Sequence, residues 1–172
     1  MTFIAPSGFE GVHVSNQLEA GDIGSIIALH GKLYYEEFGF GLGFEKYVAR
    51  TFADFVCQFE PGKDAIWIAK KGQQVKGFIA LVHRGAHLGQ LRYFITSPDY
   101  RKTGLGRFLF NSFMNHVRIN DYSEIYLWTT SNLKAAARLY LQEGFYITEE
   151  RQSDTFGIPL LEQKYNWKNQ AP

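Results

Sequence analysis

The sequence predicts a single α+β domain in which a mainly antiparallel sheet is flanked by helices. Three observations predict it: two amphipathic helical patterns come first, three consecutive strand-like runs follow, and helices then alternate with strands. The expected element order is β-α-α-β-β-β-α-β-α-β-β. A length of 172 residues, without repeats or an interdomain linker, fits one domain over residues 1–172.

The first third of the chain predicts one short strand and two helices. Residues 11–15 alternate weakly and form the first expected strand. A helix follows from Asp22, whose carboxylate is suited to capping free amides, with apolar residues at helical spacing over 23–34. A second helix carries its apolar residues over 44–59. The glycine-rich segment 39–43 between them is either a mobile lid or a plain connector.

The rest of the chain predicts the remaining strands and two more helices. Two strand-like runs joined around Gly72 indicate an antiparallel hairpin, and a third run follows them. Asn132 and Gly144 are expected to cap the last helix at its two ends. The expected strands are 65–70, 75–83, 90–96, 124–130, 145–150 and 160–167, and the expected helices are 105–120 and 132–143.

The composition excludes several classes of protein. Lys plus Arg (18) nearly balances Asp plus Glu (17), and a net charge of +1 gives no global basic field for nucleic acid. The single cysteine, Cys57, excludes an internal disulfide and a multi-cysteine metal site, and its aromatic-rich surroundings predict burial. No apolar run has the length of a membrane span, and residues 1–10 lack signal-peptide features. We therefore expect a soluble, cytoplasmic protein without a metal site.

The segment 90–110 carries the strongest functional signal. A strand runs to Thr96, and a loop with two glycines, RKTGLGR at 101–107, leads into a helix. Glycines let the backbone approach a ligand, and the free amides at a helix N-terminus bind phosphate. The loop also carries three cations, Arg101, Lys102 and Arg107. It therefore predicts a phosphate or pyrophosphate site.

Two other glycine-rich phosphate motifs do not fit this loop. A P-loop continues as Gly-Lys-Ser/Thr, whereas Gly106 is followed by Arg107 and Phe108. The dinucleotide fingerprint needs a third glycine where this chain has Leu109. It also needs a parallel βαβ setting, whereas three consecutive strands precede this loop.

At these residues the chain resembles the GNAT acyltransferase superfamily. The GNAT phosphate loop, Arg/Gln-x-x-Gly-x-Gly/Ala, is matched by Arg101, Gly104 and Gly106. The second GNAT motif is similar to Asn132, Ala136, Tyr140 and Gly144-Phe145. Residues 22–167 look especially like the acyltransferase half of MarR-fused GNAT proteins, on the cues 37–39, 127–129, 156–157 and Gln163. The winged-helix half is missing here, so no DNA role carries over.

The resemblance implies acetyl-CoA as co-substrate and Tyr140 as the catalytic residue, which protonates the leaving CoA thiolate. A phenol with a pKa near 10 stays protonated at neutral pH and can hydrogen-bond a sulfur that gains charge. An aromatic core position is the alternative reading of Tyr140. The implied cofactor-binding residues are Phe94, Ile95, Thr96, Arg101, Lys102, Thr103, Gly104, Leu105, Gly106, Arg107, Asn132 and Tyr140.

The implied acceptor is an amine, which is mostly protonated at neutral pH, so a base must take its proton. The strand centres at 91–93 and 127–129 carry no carboxylate. Glu36 and Glu37 are the best remaining candidates, with solvated helix-end charges as the alternative reading. The two histidines of the turn at 83–87 are expected to be exposed rather than catalytic.

The sequence thus predicts an N-acetyltransferase that moves the acetyl group of acetyl-CoA to a primary amine of a small molecule or an amino acid by direct attack. Two alternatives remain: acetylation of a protein or peptide, and a CoA-binding sensor without catalysis. The oligomeric state stays open, a homodimer included. The aromatic candidates for the acceptor cleft are Tyr34, Tyr35, Phe38, Phe40, Trp67 and Trp128.

Overall fold

The structure is a computed structural model that describes residues 2–4 and 9–169. The α-helices in those ranges are α1 (Asp22–Phe38), α2 (Leu42–Cys57), α3 (Leu105–Ile119) and α4 (Lys134–Gln142). The strands are β1 (Thr2–Ile4), β2 (Val12–Ser15), β3 (Ala65–Lys71), β4 (Gln74–Gly85), β5 (Leu88–Thr96), β6 (Glu124–Thr130), β7 (Tyr146–Ser153) and β8 (Leu160–Lys168).

These strands form one mixed sheet in the order β1-β2-β3-β4-β5-β6-β8-β7. Every neighbouring pair is antiparallel except β5 and β6, which run parallel. The α+β class and the mainly antiparallel sheet expected from the sequence are confirmed. The expected order lacks β1, because three residues are too few to show an alternating pattern.

The helices cover both faces of the sheet because alternate strand residues point to opposite sides. α1 and α2 lie on one face, where Ile26 and Phe52 share a buried cluster with Phe78 of β4. α3 lies on the other face, where Phe113 belongs to a second buried cluster with Ile79, the next residue of β4. Removing these apolar side chains from water is the main force that holds the helices on the sheet.

The parallel strands β5 and β6 pair over a short distance only. Their register joins Leu88–Gln90 to Glu124–Tyr126, and no pairing follows it, although β5 continues to Thr96 and β6 to Thr130. The two strands therefore separate toward their carboxyl ends. The backbone groups of β5 that point toward β6 beyond Gln90 consequently have no partner in the sheet.

A β-bulge in β5 changes which side chains face α1 and α2. The register between β4 and β5 shifts between Phe78 and Ala80, so β5 carries one extra residue there. Tyr93 lies in this bulge with a positive φ of 55°. As a result, Arg92 and its neighbour Tyr93 lie on the same side of the sheet, and both contact α2.

Both expected N-terminal caps are wrong. Gly21 is the N-cap of α1, and the carboxylate of Asp22 instead accepts the Lys70 ammonium at 3.1 Å and the Glu19 amide at 2.7 Å. Leu133 is the N-cap of α4. The Asn132 side chain is used elsewhere, since its Oδ1 accepts a hydrogen bond from the Thr130 hydroxyl. Gly144 follows the end of α4 with a left-handed φ of 92°, as a C-terminal glycine should.

The connector between α1 and α2 is shorter than the glycine pattern suggests, because Gly43 belongs to α2. Gly39 ends α1 in the left-handed conformation. Phe40 is buried, and the Gly41 amide donates to the Phe156 carbonyl at 2.9 Å. The connector is thus packed against the β7–β8 loop. Cys57, expected to be buried, is exposed because it ends α2 on the side away from the sheet-facing Phe52 and Phe55.

Candidate active site

A cavity of about 800 Å³ lies where β5 and β6 separate. Its walls include residues of β5 and β6, of α1 and α2, and of the segments that begin α3 and α4. Thr103 and Leu105 do not line it: the Thr103 hydroxyl donates to the Tyr100 carbonyl, and the Leu105 side chain is buried in the core. The lining residues that the sequence singled out are Phe94, Ile95, Thr96, Arg101, Lys102, Gly104, Gly106, Arg107, Asn132 and Tyr140.

The loop at 101–107 has the backbone geometry of an anion site. Lys102 and Gly104 have positive φ angles of 61° and 99°, and Gly104 is the N-cap of α3. The first amides of a helix lack intrahelical partners, so those of Gly106 and Arg107 remain available to a ligand. A Cβ on Gly106 would lie 3.1 Å from the Thr96 hydroxyl, so a larger residue would crowd the end of β5. The loop fits a phosphate group.

Cations surround this end of the cavity, and two of them were not expected from the sequence. Lys134 and Arg138 of α4 line the cavity beside Lys102 and Arg107. Their spacing of four residues puts them on one helix face, which is the signal that could have identified them. The Arg107 guanidinium donates to the Gln142 side chain at 3.0 Å, which joins α3 to α4. The positive charge favours a polyanionic ligand at this end.

Tyr140 lies on the cavity wall with its ring almost fully buried. The ring packs against Phe110, Phe145 and Tyr165 at centroid distances of 5.8, 5.9 and 5.7 Å. Burial raises the pKa of the Tyr140 phenol far above its usual value, and the nearby Tyr34 and Tyr165 add to the shift. The hydroxyl therefore stays protonated at neutral and mildly alkaline pH.

The half of the cavity next to α1 and α2 is aromatic. Tyr34 and Phe38, which the sequence suggested, line it together with Phe44 and Tyr47, and the third candidate, Trp128, lines the cavity from β6. Tyr34 stacks on Phe44 with centroids 4.4 Å apart. An apolar, flat-walled space of this kind favours an apolar group on the ligand.

Three of the six aromatic candidates lie outside this cavity. Tyr35 is 68% exposed on the outer side of α1, and Phe40 is buried in the connector. Trp67 faces α3, where its ring contacts Phe113 and His116. Because side chains alternate along β3, the face that Trp67 occupies depends on where the helices pack, and the sequence does not fix that.

Of the two candidate bases, only Glu37 lines the cavity. Its carboxylate accepts the Arg101 guanidinium at 2.8 Å, so an ion pair ties the end of α1 to the phosphate loop. Glu36 is exposed and points toward Lys32 at 4.0 Å. His87 is exposed as expected, whereas His83 is half-buried against the Tyr122 hydroxyl, away from the cavity.

His30 is a cavity residue that the sequence did not single out, because it occupies an apolar position of the α1 pattern. Its Nδ1 donates to the Ile26 carbonyl at 2.8 Å, which leaves the lone pair of the neutral imidazole on Nε2. Burial lowers the pKa of His30 to about 4, against a smaller opposite effect of the Ile26 carbonyl. The ring is therefore neutral at pH 7.

Comparison with known proteins identifies the family. The family model described as the acetyltransferase (GNAT) family matches residues 31–145, more than half of the chain. The chain belongs to the GNAT acetyltransferase family. The matched region runs from α1 to the end of α4, so it contains the phosphate loop and Tyr140 of this GNAT protein.

Individual GNAT relatives are distant. N-acetyltransferase 8F1 of Rattus norvegicus is 28% identical over 138 residues, which cover 73% of this chain and 62% of that protein. The chain thus spans less than two-thirds of that relative. An acetyltransferase of the GNAT family from Staphylococcus aureus Mu50 superposes with a TM-score of 0.74 at 15% identity, covering 91% of this chain and 98% of that one.

A third similar protein is yncA of Salmonella typhimurium, solved with its cofactor acetyl-CoA. It superposes with a TM-score of 0.70 at 15% identity and covers 94% of this chain and 98% of its own. At such identities these likenesses show the fold of this GNAT protein. Within the described residues, none of its helices is both long and apolar enough to cross a membrane.

The buried His30 predicts an acid-sensitive stability. Its folded-state pKa of about 4 lies below the ordinary 6.5. Between these two pH values His30 is protonated in the unfolded chain and neutral in the folded chain. The contribution of His30 to the free energy of unfolding is therefore fully present above pH 6.5, and it is lost as the pH falls toward 4. Between pH 7 and pH 5 this histidine accounts for a loss of roughly 2 kcal/mol. Urea unfolding of the wild type and of His30→Leu at both pH values should show a smaller pH effect in the variant.

The matched control is His13→Gln, because His13 is exposed on β2. That variant should keep the full difference between the two pH values. If His30→Leu loses as much stability between pH 7 and pH 5 as the wild type does, His30 is not the source of the loss, whatever the absolute stability of the variant.

Proposed function

We propose that this GNAT protein is an N-acetyltransferase that moves the acetyl group of acetyl-CoA to a primary amine of a small molecule or an amino acid. The observation that carries the proposal is the composition of the cavity: helix amides and cations at one end, an unpaired strand edge in the middle and an aromatic compartment at the other. Helix amides and cations suit a phosphate, an unpaired strand edge suits an arm that carries amides, and the aromatic compartment suits an acceptor.

The residues present fit acetyl-CoA along the whole cavity. The amides of Gly106 and Arg107, with the nearby cations, would hold the pyrophosphate. The edge of β5 from Arg92 to Thr96 offers backbone donors and acceptors to the amides of the pantetheine arm. When bound, acetyl-CoA supplies a thioester whose carbonyl carbon an amine can attack directly. Holding amine and thioester together would supply much of the rate.

Two side chains of the cavity wall would handle protons. Tyr140, kept protonated by burial, would donate to the leaving thiolate. Glu37 is the one carboxylate among the described lining residues. It is therefore the group suited to take the proton from the protonated amine substrate. Its ion pair with Arg101 holds it at the cavity wall.

Replacing Tyr140 by phenylalanine tests the proposed donor. The variant keeps the packing of the ring but lacks the hydroxyl, so kcat should fall by about 100-fold while the Kd for acetyl-CoA changes little. Thiol release with a panel of amines, amino acids and peptides gives kcat, and calorimetry gives the Kd.

Tyr165→Phe is the control, because Tyr165 packs against Tyr140 but does not line the cavity. It should retain the wild-type kcat. Wild-type turnover in Tyr140→Phe would remove this residue from the mechanism. Binding of acetyl-CoA without thiol release from any acceptor would favour the sensor function instead, and turnover confined to peptides would favour a peptide acetyltransferase.

The neighbouring pair Glu36 and Glu37 tests the proposed proton acceptor. Glu37→Gln should lower kcat/KM at pH 7 by about 10- to 100-fold, and the deficit should shrink toward pH 10, where the amine loses its proton to water. Glu36→Gln should match the wild type at both pH values, since Glu36 does not line the cavity. A Glu37→Gln deficit of equal size at pH 7 and pH 10 would contradict a role in proton transfer.

A further inference from the structure

Four arginines line the cavity: Arg92, Arg101, Arg107 and Arg138. Arg101 is paired with Glu37, whereas Arg107 and Arg138 belong to α3 and α4 at the end with the phosphate loop. Arg92 lies instead beside α2, where it contacts Tyr47. None of the ion pairs among the described residues includes Arg92, although it lines the cavity. Its positive charge in this wall is therefore not neutralised by the protein.

The surroundings of Arg92 fix the guanidinium but use little of its hydrogen-bonding capacity. Nη2 donates to the Tyr47 hydroxyl at 2.9 Å and to the Thr51 hydroxyl at 3.3 Å. The guanidinium carbon lies 4.6 Å from the centre of the Tyr93 ring. Nη1 and Nε have no hydrogen-bond partner among the described residues. The guanidinium is held here in one position, and Nη1 and Nε remain free to donate hydrogen bonds to an anionic ligand.

The bulge in β5 is what brings Arg92 to this position. Without the extra residue at Tyr93, consecutive side chains would point to opposite faces, and Arg92 and Tyr93 could not both contact α2. The left-handed backbone of Tyr93 is a strained conformation for a residue with a side chain. Strain of this kind is concentrated at functional sites.

The position along β5 assigns Arg92 to the acceptor rather than to the phosphates. Arg92 lies four residues before Thr96, roughly 13 Å along the strand from the end that meets the phosphate loop. Around it are the aromatic residues of α1 and α2. The cavity wall there combines one unpaired cation with apolar rings.

We infer that the acceptor carries a free carboxylate, which Arg92 binds, and that it is an amino acid with an apolar side chain. The inference rests on the proposed function and narrows its acceptor. A carboxylate would take the free donors of Arg92, and the rings of Tyr34, Phe38 and Phe44 would cover the side chain. A polyamine or a lysine-rich peptide is disfavoured, because the described lining offers several cations and one carboxylate that is already paired.

Amino acids and their amides test this inference directly. Thiol release is measured with acetyl-CoA and L-phenylalanine, L-leucine or L-methionine, each compared with its amide. The wild type should prefer at least one acid by about 30-fold in kcat/KM, since a charge-assisted hydrogen bond is lost in the amide. The α-amine of an amino-acid amide is less basic than that of the free acid, so a larger fraction of it is neutral at pH 7. Amine basicity alone would therefore make the amide, not the acid, the better acceptor. In Arg92→Gln the preference should disappear, and in Arg92→Lys it should be partly restored.

Arg50→Gln is the matched control, because Arg50 is exposed on α2 and does not line the cavity. It should keep the wild-type preference. A second readout avoids turnover: calorimetry with CoA present should show N-acetyl-L-phenylalanine binding more tightly than its amide in the wild type and equally in Arg92→Gln. Circular dichroism confirms that each variant is folded.

The inference is overturned if amides or simple amines are used as well as the acids, if no acid is bound or used, or if Arg92→Gln keeps the preference. The proposed function survives each of these results as long as some amine is acetylated. It fails if acetyl-CoA does not bind, or if no acceptor of any class releases thiol.

Discussion

The separation of β5 from β6 after three paired residues is the constraint on which the site depends. Up to Gln90 and Tyr126 the two strands share a parallel ladder, and the ladder ends there although both strands continue. Backbone groups beyond that point are left without partners at the centre of a sheet, where unpaired groups are costly. The cost is offset if a ligand completes the hydrogen bonds, and the cavity lies at the place where such a ligand would fit.

The helices are arranged around this opening. α3 and α4 begin at its wide end, and their free amides and cations give that end a positive potential. α1 and α2 close the other end with aromatic side chains. The ion pair of Glu37 with Arg101 joins the two ends across the opening. Tyr34 lies beside this pair, and burial raises the pKa of its phenol to about 12 although Arg101 acts in the opposite direction.

Local features of the sequence were enough to predict the fold and the glycine turn at 101–107 that leads into α3. The strand-like apolar runs of β3 and β4, the helical spacing in α1 and the glycine spacing of the loop are all set by neighbouring residues. The bulge at Tyr93 was not predictable, because it is a property of the register between two strands. Asp22 likewise pairs with Lys70 from another part of the chain. Asn132 was mispredicted for a local reason, because its side chain accepts the Thr130 hydroxyl instead of capping α4.

The cavity residues show the same division. Tyr140 and the loop cations follow from motif spacing, whereas Arg92, His30 and the α4 cations depend on how strands and helices pack. His30 occupies an apolar position of α1, so its pattern predicts core and gives no sign of a cavity wall. Arg92 lies within the predicted strand 90–96, and the sequence gives no sign of the bulge that turns it toward α2.

Amide hydrogen exchange with and without acetyl-CoA tests most directly whether the opening between β5 and β6 holds the co-substrate. Binding should slow exchange at the amides of 92–96 and 104–107, because the strand edge and the start of α3 gain hydrogen-bond partners. Exchange at residues 68–71 of β3, which pair with both β2 and β4, should not change. Unchanged exchange at both segments in the presence of saturating acetyl-CoA would contradict the account.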